Sequence, residues 1–183
     1  MEHSLLSGWE NFYVITGSCA GGLTGLMFVV ITLMRDPSRV RVSGLRAFVT
    51  PTIVHFCAVL SLSCFLNMPH ASVPLLSAGF AVAGVAGVLY CGVIAFNMSR
   101  SSEHYTPERD DWAWNVYVPT FLYAGSIAAA VCVREHPSGT LYGVAAIALG
   151  LLLLGIRNSW DLAVFMTLSK RVSAAHEARP GGR

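Results

Sequence analysis

The sequence predicts an all-α protein, a polytopic bundle of five transmembrane helices with its amino terminus outside and its carboxyl terminus inside. Three observations predict it. Of 183 residues, 54% are hydrophobic and 12% charged, about half the ~25% charged share of a soluble domain; the mean hydropathy is +0.58. Five charge-poor windows are long enough to cross a bilayer, which takes ~20 apolar residues at ~1.5 Å each. Finally, the Lys and Arg residues sit in alternate connections.

Backbone amides in hydrocarbon must be satisfied within their own segment, so each window is read as a helix. The first covers 11–34; no basic residue precedes it, which argues against a cleaved signal. The second covers 47–68, and Pro51 near its start removes an amide and frees the carbonyl of Ala47, so this end is expected to be irregular. The third covers 73–98. The fourth, 114–133, is approached through DDWAWN, 110–115, whose acids complement the helix dipole and whose Trp112 and Trp114 suit the membrane interface. The fifth covers 140–168. Together residues 1–170 form one transmembrane domain, and 171–183 read as a disordered, solvated tail. The connections at 69–72 and 134–139 are short enough to predict that the helices they join run as antiparallel neighbours.

Orientation follows from the 12 Lys and Arg. Arg35, Arg39, Arg41 and Arg46, then Arg100 and Arg109, then Lys170, Arg171, Arg179 and Arg183 all fall on one side. The other side holds Arg134, and Arg157 lies within a window. The positive-inside rule therefore puts the basic side in the cytoplasm. The formal charge of +2 does not indicate nucleic-acid binding, because the basic loops are short and carry no interleaved aromatics. Their expected partner is the lipid bilayer.

Cys19, Cys57, Cys64, Cys91 and Cys132 all lie in spans, form no C-x-x-C, and are expected to be buried and inert. No H-E-x-x-H or Cys/His cluster suggests a metal. A haem needs two facing histidines, and His55 is the one histidine inside a window. No G-x-S-x-G marks a nucleophile. We therefore expect no metal, no cofactor and no catalytic residue.

Small residues recur every four positions at Gly17, Gly21 and Gly25 in the first span and at Gly79, Ala83 and Gly87 in the third. In lipid, where the hydrophobic drive between helices is absent, such ridges let backbones approach closely. Their contact is expected within the chain, with a homo-oligomer as the alternative.

The intramembrane polar groups are the candidate site. Arg157 lies 17 residues past Thr140, about 25 Å along the helix and near the inner limit of a ~30 Å core. Asp161 follows at i+4 and Asn158 lies between them, so the three can interact. Gly150 and Gly143, one and two heptads before Arg157, place the cluster on a small-residue face that is expected to point into protein. The competing expectation is an interfacial anchor, with Trp160 in the aromatic belt and Trp9 its counterpart at the other surface. Asp111 sits at the depth of Arg157. His55 lies near the middle of the second span, with Thr52 on its face.

The segments WENFYVITGSCAGGLTGLMFVVI, TPTIVHF, DWAWN and GIRNSWDL together resemble a family of small bacterial membrane proteins of uncharacterised activity, some of them labelled modulators of the FtsH membrane protease. The resemblance implies a bacterial inner membrane and a five-helix bundle, in which the orientation expected from the basic loops would put the amino terminus in the periplasm. Two functional classes follow. The first is a small channel or transporter-like protein with a cytoplasmic vestibule of Asp111, Arg157, Asn158 and Asp161 and a deeper gating group at His55. The second is a membrane-embedded modulator or accessory subunit that binds another membrane protein, such as a membrane protease. An intramembrane enzyme is the third and weakest.

Overall fold

The computed structural model describes residues 5–33, 42–100 and 109–177, with side chains at 5–32, 50–100 and 109–164. The described residues form helices and short turns and contain no strand. The helices are α1 (Glu10–Leu33), α2 (Val42–Leu66), α3 (Val73–Arg100), α4 (Arg109–Trp112), α5 (Val118–Cys132) and α6 (Pro137–Glu177). A π-helical turn, Ala113–Tyr117, joins α4 to α5. Four helical stretches are long and apolar enough to cross a membrane: Glu10–Thr32, Val73–Arg100, Arg109–Cys132 and Pro137–Val164; a shorter apolar stretch, Thr50–Leu66, is the fifth. The protein is a membrane-embedded helical bundle.

Packing order differs from chain order. The main contacts run α1 to α2, α2 to α6, α6 to α5 and α5 to α3, with lesser contacts between α1 and α6 and between α2 and α3. The short connection after α2 therefore does not make α2 and α3 neighbours along their length, contrary to expectation. They meet beside the turn, where Phe65 covers Gly79 and lies edge-on to Phe80. Beyond that point α3 packs on α5. A Cβ at Gly84 would lie 2.8 Å from the Tyr123 carbonyl and 2.9 Å from the Ile127 amide, so only glycine permits this backbone approach.

The α3 ridge is thus corrected. Its inward face is Leu76, Ser77, Phe80, Gly84, Gly87 and Cys91, spaced at the helical 3.6 rather than at four, and Ala83 faces outward. A four-residue step drifts off a 3.6-residue face, which moves Ala83 away and brings Gly84 in. In α1, Gly17 abuts Ser63 and Gly21 lies near Leu60, whereas Gly25 meets nothing within 4 Å. In α6, Gly150 is covered by Leu122, but Gly143 likewise meets nothing.

Central α6 is flanked by α2 and α5 and buries Leu141, Val144, Ala148, Leu151 and Leu162. It also runs past its expected end. Residues 171–177 continue the helix instead of forming a disordered tail, because SKRVSAAHE consists largely of helix formers and the first breaker is Pro180. Residues 178–183, and the basic positions Arg35, Arg39 and Arg41, lie outside the described residues.

The cysteine expectation is also corrected. Cys91 alone is buried, while Cys19, Cys57, Cys64 and Cys132 are exposed on the bundle surface, where a small apolar thiol suits contact with lipid as well as a core position does.

Candidate polar site

Five polar side chains are buried in the half of the bundle nearer Arg100 and Arg109, called here the basic end. His55 and Thr52 of α2 are fully buried. Tyr123 of α5, Asn158 of α6 and Asn115 of the π-turn are buried as well. His55 Nδ1 and the Tyr123 hydroxyl are 3.0 Å apart and hydrogen-bonded. Tyr123 can reach across because Gly87 on α3 has no side chain where its ring lies.

The π-turn arises locally. Pro119 has no amide hydrogen to give the Asn115 carbonyl, so the α-register fails one turn earlier. The Val118 amide then bonds to the Ala113 carbonyl, five residues back. The wider turn points Asn115 inward and leaves Trp114 at the rim, 37% exposed. Asn115 Nδ2 donates to the Asp111 carbonyl at 3.0 Å, which orients its Oδ1 as an acceptor directed elsewhere.

Packing contacts place these groups at one height. Phe56 packs on Gly155, and Arg157 stacks on Trp114, so His55, Asn158 and Asn115 fall within a slab of about one 5.4 Å turn. Each carries an orphan. His55 Nε2, Asn158 Nδ2 and Asn115 Oδ1 are buried and have no hydrogen-bond partner among the described residues. A buried polar atom without a partner costs ~1–3 kcal/mol, so three of them in one part of the bundle are exceptions to the rule that buried polar groups are paired.

The charged groups behave otherwise. Arg157 Nη1 and Asp161 Oδ2 are 3.4 Å apart, but the side chains are 38% and 43% exposed. The guanidinium carbon lies 4.2 Å from the Trp114 ring centroid, within cation–π range. The expectation that their face turns into protein is therefore corrected. Asn158, rotated about 100° from Arg157, shares the buried face of Leu151, Gly155 and Leu162, while Arg157 and Asp161 stay at the edge. Asp111 is half-buried below the π-turn, Trp112 stacks near Tyr117, and Trp160 is 70% exposed. At the opposite end Trp9 packs against Phe12, Tyr13 and Tyr142.

A second polar group lies toward that opposite end. Tyr13, Thr16 and Ser63 are buried between α1 and α2; Thr16 Oγ1 and Ser63 Oγ are 3.2 Å apart, and the Tyr13 hydroxyl has no partner among the described residues. Sequence reading missed Tyr13, Asn115 and Tyr123 as site residues. The signal for Asn115 was its place four residues before Pro119, but tyrosines in apolar windows carry no sign of which way they face. Among the described residues no group of three His, Cys, Asp or Glu is placed to hold a metal. Comparison of the chain with protein-family models, with curated proteins and with solved structures finds no match.

Proposed function

We propose that this protein is a small channel or transporter-like membrane protein whose solute site is the polar slab of His55, Asn115, Tyr123 and Asn158. The observation that carries this reading is the set of three buried, unpartnered polar atoms on α2, α6 and the π-turn, His55 Nε2, Asn158 Nδ2 and Asn115 Oδ1. Ionisable and polar groups inside a span are costly and mark solute or ion pathways. Discontinuities in the helix ladder occur in such proteins where backbone lines a site, and here the π-turn before Pro119 interrupts one of the enclosing segments, whereas α2 runs unbroken through Pro51.

In this reading the basic end faces the cytoplasm of a bacterial inner membrane. Arg157, Asp161 and Asp111 form the rim of the site instead of its wall, and Trp114 holds the guanidinium in place.

The test is protein-dependent flux. Purified protein in liposomes is assayed for entry of protons, small ions and small uncharged solutes, against empty liposomes and a His55→Ala variant. We expect entry of at least one probe above empty liposomes, reduced in the variant. Background flux for every probe sinks the proposal.

A further inference from the structure

We infer that Arg157 and Asp161 together hold the headgroup of a zwitterionic phospholipid, the guanidinium taking its phosphate and the carboxylate its primary ammonium. The inference is independent of the transport reading. It begins with an ion pair that is not closed. Arg157 Nη1 and Asp161 Oδ2 are 3.4 Å apart, beyond the ~2.7–2.9 Å of a hydrogen-bonded pair of these groups. The side chains are 38% and 43% exposed, and among the described residues neither has a further hydrogen bond or ion pair. A guanidinium is a fork of N–H donors and a carboxylate accepts through both oxygens, so each keeps bonding capacity at the bundle surface.

The surroundings fix where that surface points. Gly150 is covered by Leu122 of α5, and Arg157, seven residues on, lies along nearly the same line of α6. The guanidinium therefore sits in the furrow between α6 and the segment leading into α5, with its carbon 4.2 Å from the Trp114 ring centroid, a contact that steadies the group. Beside the furrow runs the exposed stripe of α6, Leu149, Leu153, Ile156 and Trp160, and on α5 Phe121 is exposed as well. In a membrane this apolar surface faces acyl chains, and a charge at its edge is costly unless a counter-charge meets it.

The order of charge with depth selects the partner. Asp161 is four residues beyond Arg157, about 6 Å nearer the basic end. Asp110 and Asp111 of α4 stand four and three residues before Trp114, at about the same outer level, while Arg109 is turned about 140° from Trp114. Positive charge is thus inner and negative charge outer. A phospholipid phosphate lies next to the hydrocarbon boundary, and the ammonium of an ethanolamine headgroup lies outward of it, toward water. The two orders are complementary. An anionic glycerol headgroup brings no cation to the outer carboxylates, and a quaternary choline has no N–H to donate to Asp161.

The test uses the purified full chain in mild detergent, offered phosphatidylethanolamine, phosphatidylcholine and phosphatidylglycerol with identical acyl chains in equal amounts. Retained lipid is read by native mass spectrometry. Asp161→Asn and Arg157→Gln are compared with the unaltered protein, each checked for monodisperse elution; Asp161→Asn keeps the size and shape of a half-exposed side chain, so it reads the ammonium contact without disturbing the fold. We expect the unaltered protein to retain phosphatidylethanolamine about tenfold over the other two, the factor given by one charge-assisted hydrogen bond. Asp161→Asn should bring phosphatidylethanolamine level with phosphatidylcholine, and Arg157→Gln should cut phosphatidylethanolamine retention about tenfold. Equal retention of phosphatidylethanolamine and phosphatidylcholine by the unaltered protein overturns the inference. A preference for phosphatidylglycerol also overturns it, leaving only attraction between basic residues and anionic lipid. An ethanolamine preference that either variant leaves unchanged overturns it too, because the headgroup is then held elsewhere.

Discussion

Removing a single hydroxyl from Tyr123 and from Tyr13 should have opposite effects on stability, although the two substitutions are chemically identical. Both side chains are buried, at 3% and 1% exposure. The Tyr123 hydroxyl is 3.0 Å from His55 Nδ1, whose other nitrogen already has no partner. Tyr123→Phe therefore strands a whole imidazole. An orphaned buried group costs ~1–3 kcal/mol, and hydrogen bonds between membrane helices average ~0.6 with a maximum near ~1.7 kcal/mol; we expect a loss of about 1–2 kcal/mol. The Tyr13 hydroxyl has no partner to lose, so Tyr13→Phe relieves a desolvated group and should lie between about 0 and 1 kcal/mol more stable. At about 2–4 °C per kcal/mol for a chain of this size, Tyr123→Phe lowers the thermal midpoint by about 2–8 °C while Tyr13→Phe holds or raises it. Thermal melts in mild detergent and SDS titration both read the difference. Equal shifts of the same sign, or a larger loss in Tyr13→Phe, would refute the assignment of partners within the polar site.

The glycines make a second contrast. Gly84→Ala forces a methyl against the α5 backbone, which cannot turn aside, and should destabilise by about 1–3 kcal/mol with thermal melts as the readout; Gly25→Ala meets nothing within 4 Å and should be neutral or stabilising by up to about 1 kcal/mol. Arg157→Ala should cost no more than about 1 kcal/mol, from a half-exposed pair and a stacked ring, and a loss of ~3–5 kcal/mol in SDS unfolding would show instead that the pair is buried. A small membrane-permeant thiol reagent should spare Cys91 until denaturation, as mass spectrometry of the labelled chain would report.

Helix α6 shows how far local pattern carries and where it stops. Its apolar run and the position of Arg157 along it were legible, because hydropathy and the 1.5 Å rise depend on the chain alone. The azimuth of Arg157 was not. Gly143 and Gly150 suggested an inward face, yet a helix that is apolar on nearly every side has no sequence-encoded front. Which side is buried depended on α2 and α5 being its neighbours, and that turned Asn158 inward and Arg157 to the rim. The same limit explains α3, where a four-residue repeat named Ala83 and packing on α5 selected Gly84.

His55 was visible alone as an imidazole inside a span; its partner Tyr123 lies 68 residues away, and only the packing of both α2 and α5 on α6 brings them together. Asn115 needed the π-turn to point inward, and the turn needed Pro119, a cause that is written in the chain but whose direction is not. Sequence by itself determined that this protein is an all-helical membrane bundle, because the cost of unsatisfied amides and buried charge in hydrocarbon depends on composition along a segment. Tertiary structure alone decided the order of the helices and which polar atoms face one another, because in lipid the apolar faces are nearly equivalent and close steric fit, glycine against ring and backbone, chooses among them.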